Sequence, residues 1–293
     1  MSASLPSPTA TKHTHTTALI AAARPFLKWA GGKSRLLEQY QPFLPSEYAR
    51  YHEPFLGGGA LFFHLAPQLH QQGKKAFLSD LNPELVNVYQ CVRDRVQPLI
   101  ESLAQHQARH SETHYYQVRA TLETDSVARA ARFIYLNKTC YNGLYRENSK
   151  GHFNVPIGRY KNPKICAPDL LKAASAALQI AEISERPFTA VIEKAHSHQD
   201  FVYFDPPYHP LSETSNFTGY SRYRFGEKEQ RELKEVMVWL RDRQVSLLTS
   251  NSDCPFIRDL YKDFAIETIT AARSINSKAS KRGKITEVLA VSR

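Results

Sequence analysis

A strand, a glycine turn, a helix and a second strand ending in an acid, all within residues 51–80, constrain this chain of 293 residues more than any other feature. Tyr51-His52-Glu53-Pro54-Phe55-Leu56 runs into Gly57-Gly58-Gly59, and Ala60-Leu61-Phe62-Phe63-His64-Leu65 continues as an apolar helix. Ala76-Phe77-Leu78-Ser79 reads as the second strand, closed by Asp80. Doubly wound α/β domains use this unit to hold a nucleotide-like ligand at the carboxyl end of the first strand. The glycines admit the ligand to the backbone, and an acid roughly 20 residues on holds a ribose hydroxyl pair. A dehydrogenase would carry G-x-G-x-x-G. Here Gly57-Gly58-Gly59-Ala60-Leu61-Phe62 lacks the last glycine.

The second informative stretch is Asp205-Pro206-Pro207-Tyr208, after the apolar run Phe201-Val202-Tyr203-Phe204. The run reads as a buried strand, and two prolines stop it and stiffen the backbone. A carboxylate, a fixed carbonyl and an aromatic ring then stand together at a strand end. The Asp205 carboxylate and the Pro206 carbonyl can accept both hydrogens of a planar exocyclic amine, drawing its lone pair out of the ring, while Tyr208 stacks on the base. An ordinary Asp-Pro turn after a strand is the plainer alternative for these four residues alone.

Before the glycine turn, Phe26-Leu27-Lys28-Trp29-Ala30-Gly31-Gly32-Lys33 brings a flat ring and a cation, with a helical stretch expected from Lys33 to Tyr40. It lacks the spacing of a phosphate-binding P-loop. Helical periodicity runs from Leu85 to Leu103, Tyr115 to Leu122 and Ala128 to Leu136. Then Asn137 to Arg146 and Gly151 to Lys161 interleave asparagine, arginine and lysine with aromatics, as a base-reading, phosphate-gripping surface requires. Leu170 to Ala181 and Glu229 to Asp242 read as helices. Phe188 to Ile192 and Val245 to Ser250 read as strands, and Phe264 to Ile269 with Val288 to Val291 as an antiparallel closing pair. The polar segment Leu211 to Arg224 reads as a mobile loop beside the acid, and Arg273 to Lys284 as a basic loop suited to phosphates.

A formal net charge of +10 and a pI of about 9.4 favour a polyanionic partner, most often nucleic acid. Cys91, Cys140, Cys166 and Cys254 form no Cys-x-x-Cys pair, so they read as reduced thiols in a cytosolic-type compartment. His106 and His110 could touch one metal but lack partners in register, which favours a solvated helix face and no metal. No stretch is long and apolar enough to span a membrane. Residues 1–23, rich in Ser, Thr and Ala and without an acid, are expected to form a disordered tail.

With these segments in hand, the chain resembles the DNA adenine-N6 methyltransferases of the Dam type, in the order cofactor motif, recognition region, catalytic motif. The resemblance rests on PFLKWAGGK (Pro25 to Lys33), EPFLGGG (Glu53 to Gly59), SDLN (Ser79 to Asn82), YNGLYR (Tyr141 to Arg146) and FNVPIGRYKNP (Phe153 to Pro163). It continues through DPPY (Asp205 to Tyr208), PLSETSNFTGY (Pro210 to Tyr220) and SNSD (Ser250 to Asp253). It implies a Rossmann-like methyltransferase fold, α/β and doubly wound, with a mixed sheet and a mainly helical recognition insertion. The catalytic domain would comprise residues 24–82 plus 167–293, and the recognition domain 83–166.

The implied cofactor is S-adenosylmethionine, contacted by Trp29, Lys33, Phe55, Gly57, Gly59, Asp80 and Asp205. Asp205, Pro206 and Tyr208 would hold a flipped-out adenine of a double-stranded GATC site. Asn142, Leu144, Arg146, Tyr160 and Asn216 would contact DNA, Leu144 and Tyr160 as wedges and Arg146 on a guanine edge. Tyr145 stands where the family has a smaller residue, and Gly58 where it often has alanine. A silent DNA-binding module on the same fold, or a methyltransferase for RNA or a protein amide, would fit less well. Aspartate at 205 instead of asparagine and the long basic insert favour DNA adenine. A nucleoid-associated, cytoplasmic monomer is the expected form.

Overall fold

In the computed structural model, residues 16–148, 150–211, 225–272 and 284–292 are described. Seven strands form one sheet in the order β3-β2-β1-β4-β5-β7-β6. They are β1 (Arg50–Glu53), β2 (Lys75–Asp80), β3 (Ala181–Glu185), β4 (Asp200–Phe204), β5 (Ser246–Ser252), β6 (Ala265–Ala272) and β7 (Lys284–Ser292). The first five are parallel, and β7 runs antiparallel between β5 and β6. This is the mixed, doubly wound α/β sheet expected of a methyltransferase. The chain winds outward to β3 and then returns to place β4 beside β1. That reversal opens a crevice at the carboxyl ends of β1 and β4, where open α/β sheets bind ligands.

The helices follow from local signals. α1 (Ala60–Gln71) springs from Gly59 in the left-handed conformation, and α2 (Pro83–Asp94) is capped by Asn82, whose side chain accepts from the Glu84 and Leu85 amides. The periodicity from Leu85 to Leu103 is divided, since α3 (Val96–Ala108) starts anew beyond Arg95. Pro98 explains the break: it cannot donate to the Asp94 carbonyl, and its ring would strike it. Ser111 caps α4 (Glu112–Ala120) and Asp125 caps α5 (Ser126–Thr139). Then come α6 (Pro168–Leu178), α7 (Glu227–Arg241) and α8 (Pro255–Leu260).

Three expectations are corrected here. The helix expected up to Ala181 ends at Leu178, and Ala181–Glu185 is the edge strand β3, whose Ala-Glu-Ile-Ser-Glu lacks the β-branched density of a recognisable strand. The stretch from Phe188 to Ile192, expected as a strand, lies in a 3-10 helix, Phe188–Glu193, behind Pro187. The stretch opened by Lys33 becomes helical only at Leu37–Tyr40. The tail is also shorter than its composition suggests. Residues 16–21 are helical, and Ile20, 3% exposed, is part of the core. One apolar residue that finds a groove suffices to order this segment. Residues 1–15, 212–224 (with Asn216, in the segment expected as a mobile loop) and 273–283 (in the segment expected as a basic loop) lie outside the described residues.

Two apolar clusters pack the sheet. The larger joins Tyr51, Leu61, Leu78 and Phe201 to Leu103, Tyr115 and Ile134 of α3, α4 and α5, so residues 83–166 share their core with the sheet. The smaller covers the other face with Val202, Phe204, Leu233, Met237 and Val288. Asp200, at the start of β4, is fully buried, and its carboxylate gathers Arg50, His52, Ser197 and the backbone amides of His196 and Ser197. Burial would raise its pKa, but the bonds from His52, the His196 amide and Arg50 outweigh that and hold it below the ordinary carboxylate range.

Candidate active site

The glycine turn is fixed from two sides. Gly57 and Gly59 have φ of 46° and 64°, a region that disfavours side chains. A Cβ on Gly57 would stand 2.9 Å from the Trp29 indole, so Trp29 covers the turn. The Gly57 amide donates to Asp80 Oδ2 at 3.1 Å and the Asn82 amide to Oδ1 at 3.0 Å. Burial raises the Asp80 pKa, and these amides act against it. Each carboxylate oxygen keeps lone-pair capacity for a hydroxyl donor. Positive-φ glycines beside a backbone-anchored carboxylate fit an adenosine-containing cofactor. Phe55, also expected on the cofactor, packs its ring with Phe188, Phe204 and Phe225 at centroid distances of 5.3, 6.4 and 5.5 Å.

Glu53 is a buried carboxylate to which the sequence reading gave no role. Its Oε2 accepts from the Tyr51 hydroxyl at 2.8 Å and from the Phe62 amide at 3.2 Å, so it caps α1 where Gly59 has no side chain to do so. Burial pushes its pKa up to about 8, so the acid is mostly neutral at pH 7. A raised acid binds its proton in the folded state where the unfolded chain has lost it, so wild-type stability falls as pH rises from the ordinary glutamate range to about 8. Glu53→Gln keeps an acceptor without this linkage. Its stability relative to wild type is therefore expected to improve steadily between pH 5 and pH 8, measured by urea unfolding; a pH-independent difference would contradict the assignment.

β4 delivers the second half of the site. Asp205 Oδ1 receives the Lys33 ammonium at 2.9 Å and the Ser250 hydroxyl at 2.8 Å. Lys33 is 4% exposed, also donates to Gly31 O at 2.6 Å, and lies 4.6 Å over the Tyr208 ring. The Tyr208 hydroxyl donates to Glu287 Oε2 at 2.7 Å. Gln230 Nε2 donates to Pro207 O at 2.9 Å, and the His209 amide to Asn251 Oδ1 at 3.2 Å, so α7 and β5 fix the loop that the prolines stiffen. Pro206 is buried within it. The structure thus brings Trp29, Lys33, Gly57, Gly59, Asp80, Asp205, Pro206 and Tyr208 around one crevice. Ser250, Gln230, Asn251 and Glu287 were missed by sequence reasoning. Only Ser250 and Asn251 had a signal, as part of the SNSD motif at the polar end of an apolar strand, and neither was given a role.

The described residues expected to contact DNA lie on the segments from Tyr141 to Tyr160. Arg146 is exposed, and its Nε donates to Asn154 Oδ1 at 2.7 Å, which aims the guanidinium. Asn142 is exposed with φ of 54°. Tyr160 is 37% exposed beneath the Lys28 ammonium, 3.7 Å from its ring centroid, while Leu144 is half-buried. Asn137 ties these residues to the segment before the glycine turn: its Oδ1 accepts from the Lys28 amide at 2.8 Å, and its Nδ2 donates to Lys28 O at 2.7 Å and Gly143 O at 3.2 Å. Tyr145 packs on Phe133 and Trp29 at 5.0 and 5.9 Å, and these two also face each other at 6.3 Å, so its ring joins one aromatic cluster beside the glycine turn.

His106 and His110 do not lie on a solvated face. Both are half-buried around Tyr135, with His106 Nδ1 3.1 Å from His114 Nε2 and His110 Nδ1 3.0 Å from the Tyr135 hydroxyl. Helices α3 and α4 both pack on α5, and the three rings gather around its Tyr135. Burial, then the neighbouring His114 and Arg109, lowers His106 to about 4, so the pair shares one hydrogen between neutral rings at pH 7. Among the described residues no group of three or more His, Cys, Asp or Glu side chains could hold a metal, no helix is long and apolar enough to cross a membrane, and the four cysteines are free.

Comparison with known proteins gives the family. The pattern of the D12 class of N6 adenine-specific DNA methyltransferases matches residues 29–275. The type II methyltransferase M1.LlaDCHI of Lactococcus lactis subsp. cremoris is 44% identical over 91% of this chain and 94% of its own. The type II methyltransferase M.MjaIII of Methanocaldococcus jannaschii is 43% identical over 88% of this chain and 95% of its own. The DNA adenine methylase of Haemophilus influenzae is 35% identical over 92% of this chain and 93% of its own.

Proposed function

The chain belongs to the D12 class of N6 adenine-specific DNA methyltransferases, and we propose that it methylates the adenine of GATC, flipped out of duplex DNA, with S-adenosylmethionine as donor. The observation that carries this reading is the state of Asp205. Asp205 stands at the carboxyl end of β4, its Oδ1 held by the Lys33 ammonium and the Ser250 hydroxyl, which fixes the carboxylate for a substrate. The bound cofactor supplies a methyl group on a sulfonium that is its own leaving group. Asp80 and the Gly57 to Gly59 turn hold the nucleoside part, with Trp29 and Lys33 closing over it. Asp205 Oδ2 and the Pro206 carbonyl accept the two N6 hydrogens and turn the nitrogen lone pair toward the methyl group. Tyr208 stacks on the base. Extruding an adenine from the stack costs a few kcal/mol, which Leu144 and Tyr160 offset by filling the duplex.

Residues 83–166 read the site and the rest of the chain does the chemistry, as a monomer in the cytoplasm at the nucleoid. Asn216 is proposed as a further DNA contact in the segment after the catalytic motif. A methyl-transfer assay with labelled S-adenosylmethionine on duplexes carrying GATC or GTAC tests the whole reading. Label on the GATC adenine alone supports it, and label on both would end the sequence assignment. Arg146→Ala is expected to cut the preference for GATC by roughly 1–3 kcal/mol while random-duplex binding falls far less. An equal loss on both duplexes in a filter-binding titration would make Arg146 a phosphate contact.

A further inference from the structure

We propose that Glu287 is a positioning residue for methyl transfer, holding the Tyr208 hydroxyl and thereby fixing the ring on which the target base stacks. The inference rests on the base-site reading above. Tyr208 follows two prolines, so its backbone is stiff, but nothing in the motif itself restrains the ring. Restraint comes from β7, two strands away in the sheet: Glu287 pairs in register with Ser252 of β5 and with Ile269 of β6, and its Oε2 accepts the Tyr208 hydroxyl at 2.7 Å. Lys33, 4.6 Å over the same ring, covers one face. A ring held at its tip and covered on a face cannot turn without breaking both contacts.

Glu287 is an odd occupant of its place unless it has this task. It is 8% exposed, and Val288, Leu289, Ala290 and Val291 that follow it are buried and apolar. A carboxylate there is costly unless hydrogen-bonded and near a cation. Burial raises its pKa, while the Lys33 charge and the Tyr208 hydroxyl act the other way. Both groups belong to the proposed base site, and neither would be needed for a strand that merely closed the sheet.

The test is a double-mutant cycle on the full-length enzyme with GATC duplex. Tyr208→Phe keeps the ring and removes the hydroxyl. Glu287→Ala removes the acceptor, and the near-isosteric Glu287→Gln keeps an acceptor oxygen. Tyr208→Phe and Glu287→Ala are each expected to lower kcat about tenfold, with KM for S-adenosylmethionine changed less than about twofold. The double variant should be no slower than either single one, because both remove the same bond, and Glu287→Gln should recover most of the rate. Multiplying effects, or Glu287→Gln as slow as Glu287→Ala, would overturn the proposal. If Glu287→Ala does not fold, the bulkier Glu287→Met takes its place in the cycle: its rate loss is expected to vanish in the Tyr208→Phe background, and a loss that persists there would overturn the proposal. Asp205→Ala in the same assay separates the two levels. Activity in Asp205→Ala would end the base-site reading itself, whereas an inactive Asp205→Ala with additive Tyr208 and Glu287 effects would end only this inference.

Discussion

Asp205→Ala is expected to lower the rate of methyl transfer by roughly a hundredfold to ten-thousandfold while duplex binding stays within about threefold. The carboxylate is one of the two acceptors proposed for the exocyclic amine, with the Pro206 carbonyl, and Lys33 and Ser250 hold it by Oδ1. Removing it takes away the force that turns the nitrogen lone pair out of the ring. It leaves Lys33 with the Gly31 carbonyl, a partner at 2.6 Å that keeps the buried ammonium from being wholly orphaned. DNA affinity is not expected to suffer, since the lost charge has the sign of DNA and the exposed Arg146 and Tyr160 are untouched. Single-turnover methylation and a binding titration on the same preparation check both halves. A rate near wild type would remove Asp205 from the chemistry, and a parallel loss of binding would make it a structural residue.

The largest effect on stability is expected at Asp200. Replacement by alanine should cost about 3–5 kcal/mol, because the buried ring of His52, two backbone amides and the partly exposed guanidinium of Arg50 would all be left without their acceptor. Since the folded pKa is depressed, the contribution is complete above the ordinary aspartate pKa of about 3.9 and is lost as pH falls below it. Wild type and variant should therefore converge in acid. Urea unfolding at pH 7 and pH 3 checks this, and a loss under about 1 kcal/mol at pH 7 would show that the hub is replaceable. The role is invisible in sequence. Asp200 looks like the polar flank of an apolar strand, and only the parallel register Arg50↔Asp200 brings its cationic partner alongside.

The sequence by itself determined whatever is carried by contiguous residues: the strand–glycine–helix unit, the acid that ends β2, the proline-stiffened Asp205 motif, and with them the α/β class and the family. Such signals depend on backbone φ, on proline's missing amide and on apolar runs, all written within a few residues. Tertiary structure alone decided which distant groups meet. It pairs Lys33 with Asp205, brings Glu287 to Tyr208, caps α1 with Glu53, clamps Lys28 through Asn137, and folds His106 against His114. It also chose the edge strand at Ala181–Glu185 over the more apolar Phe188–Ile192, because a place beside β2 was open and Pro187 turned the chain away. Contacts between groups far apart in sequence form where burial raises the cost of leaving a polar atom unpaired, and that cost depends on the packed surroundings as well as on the residue itself.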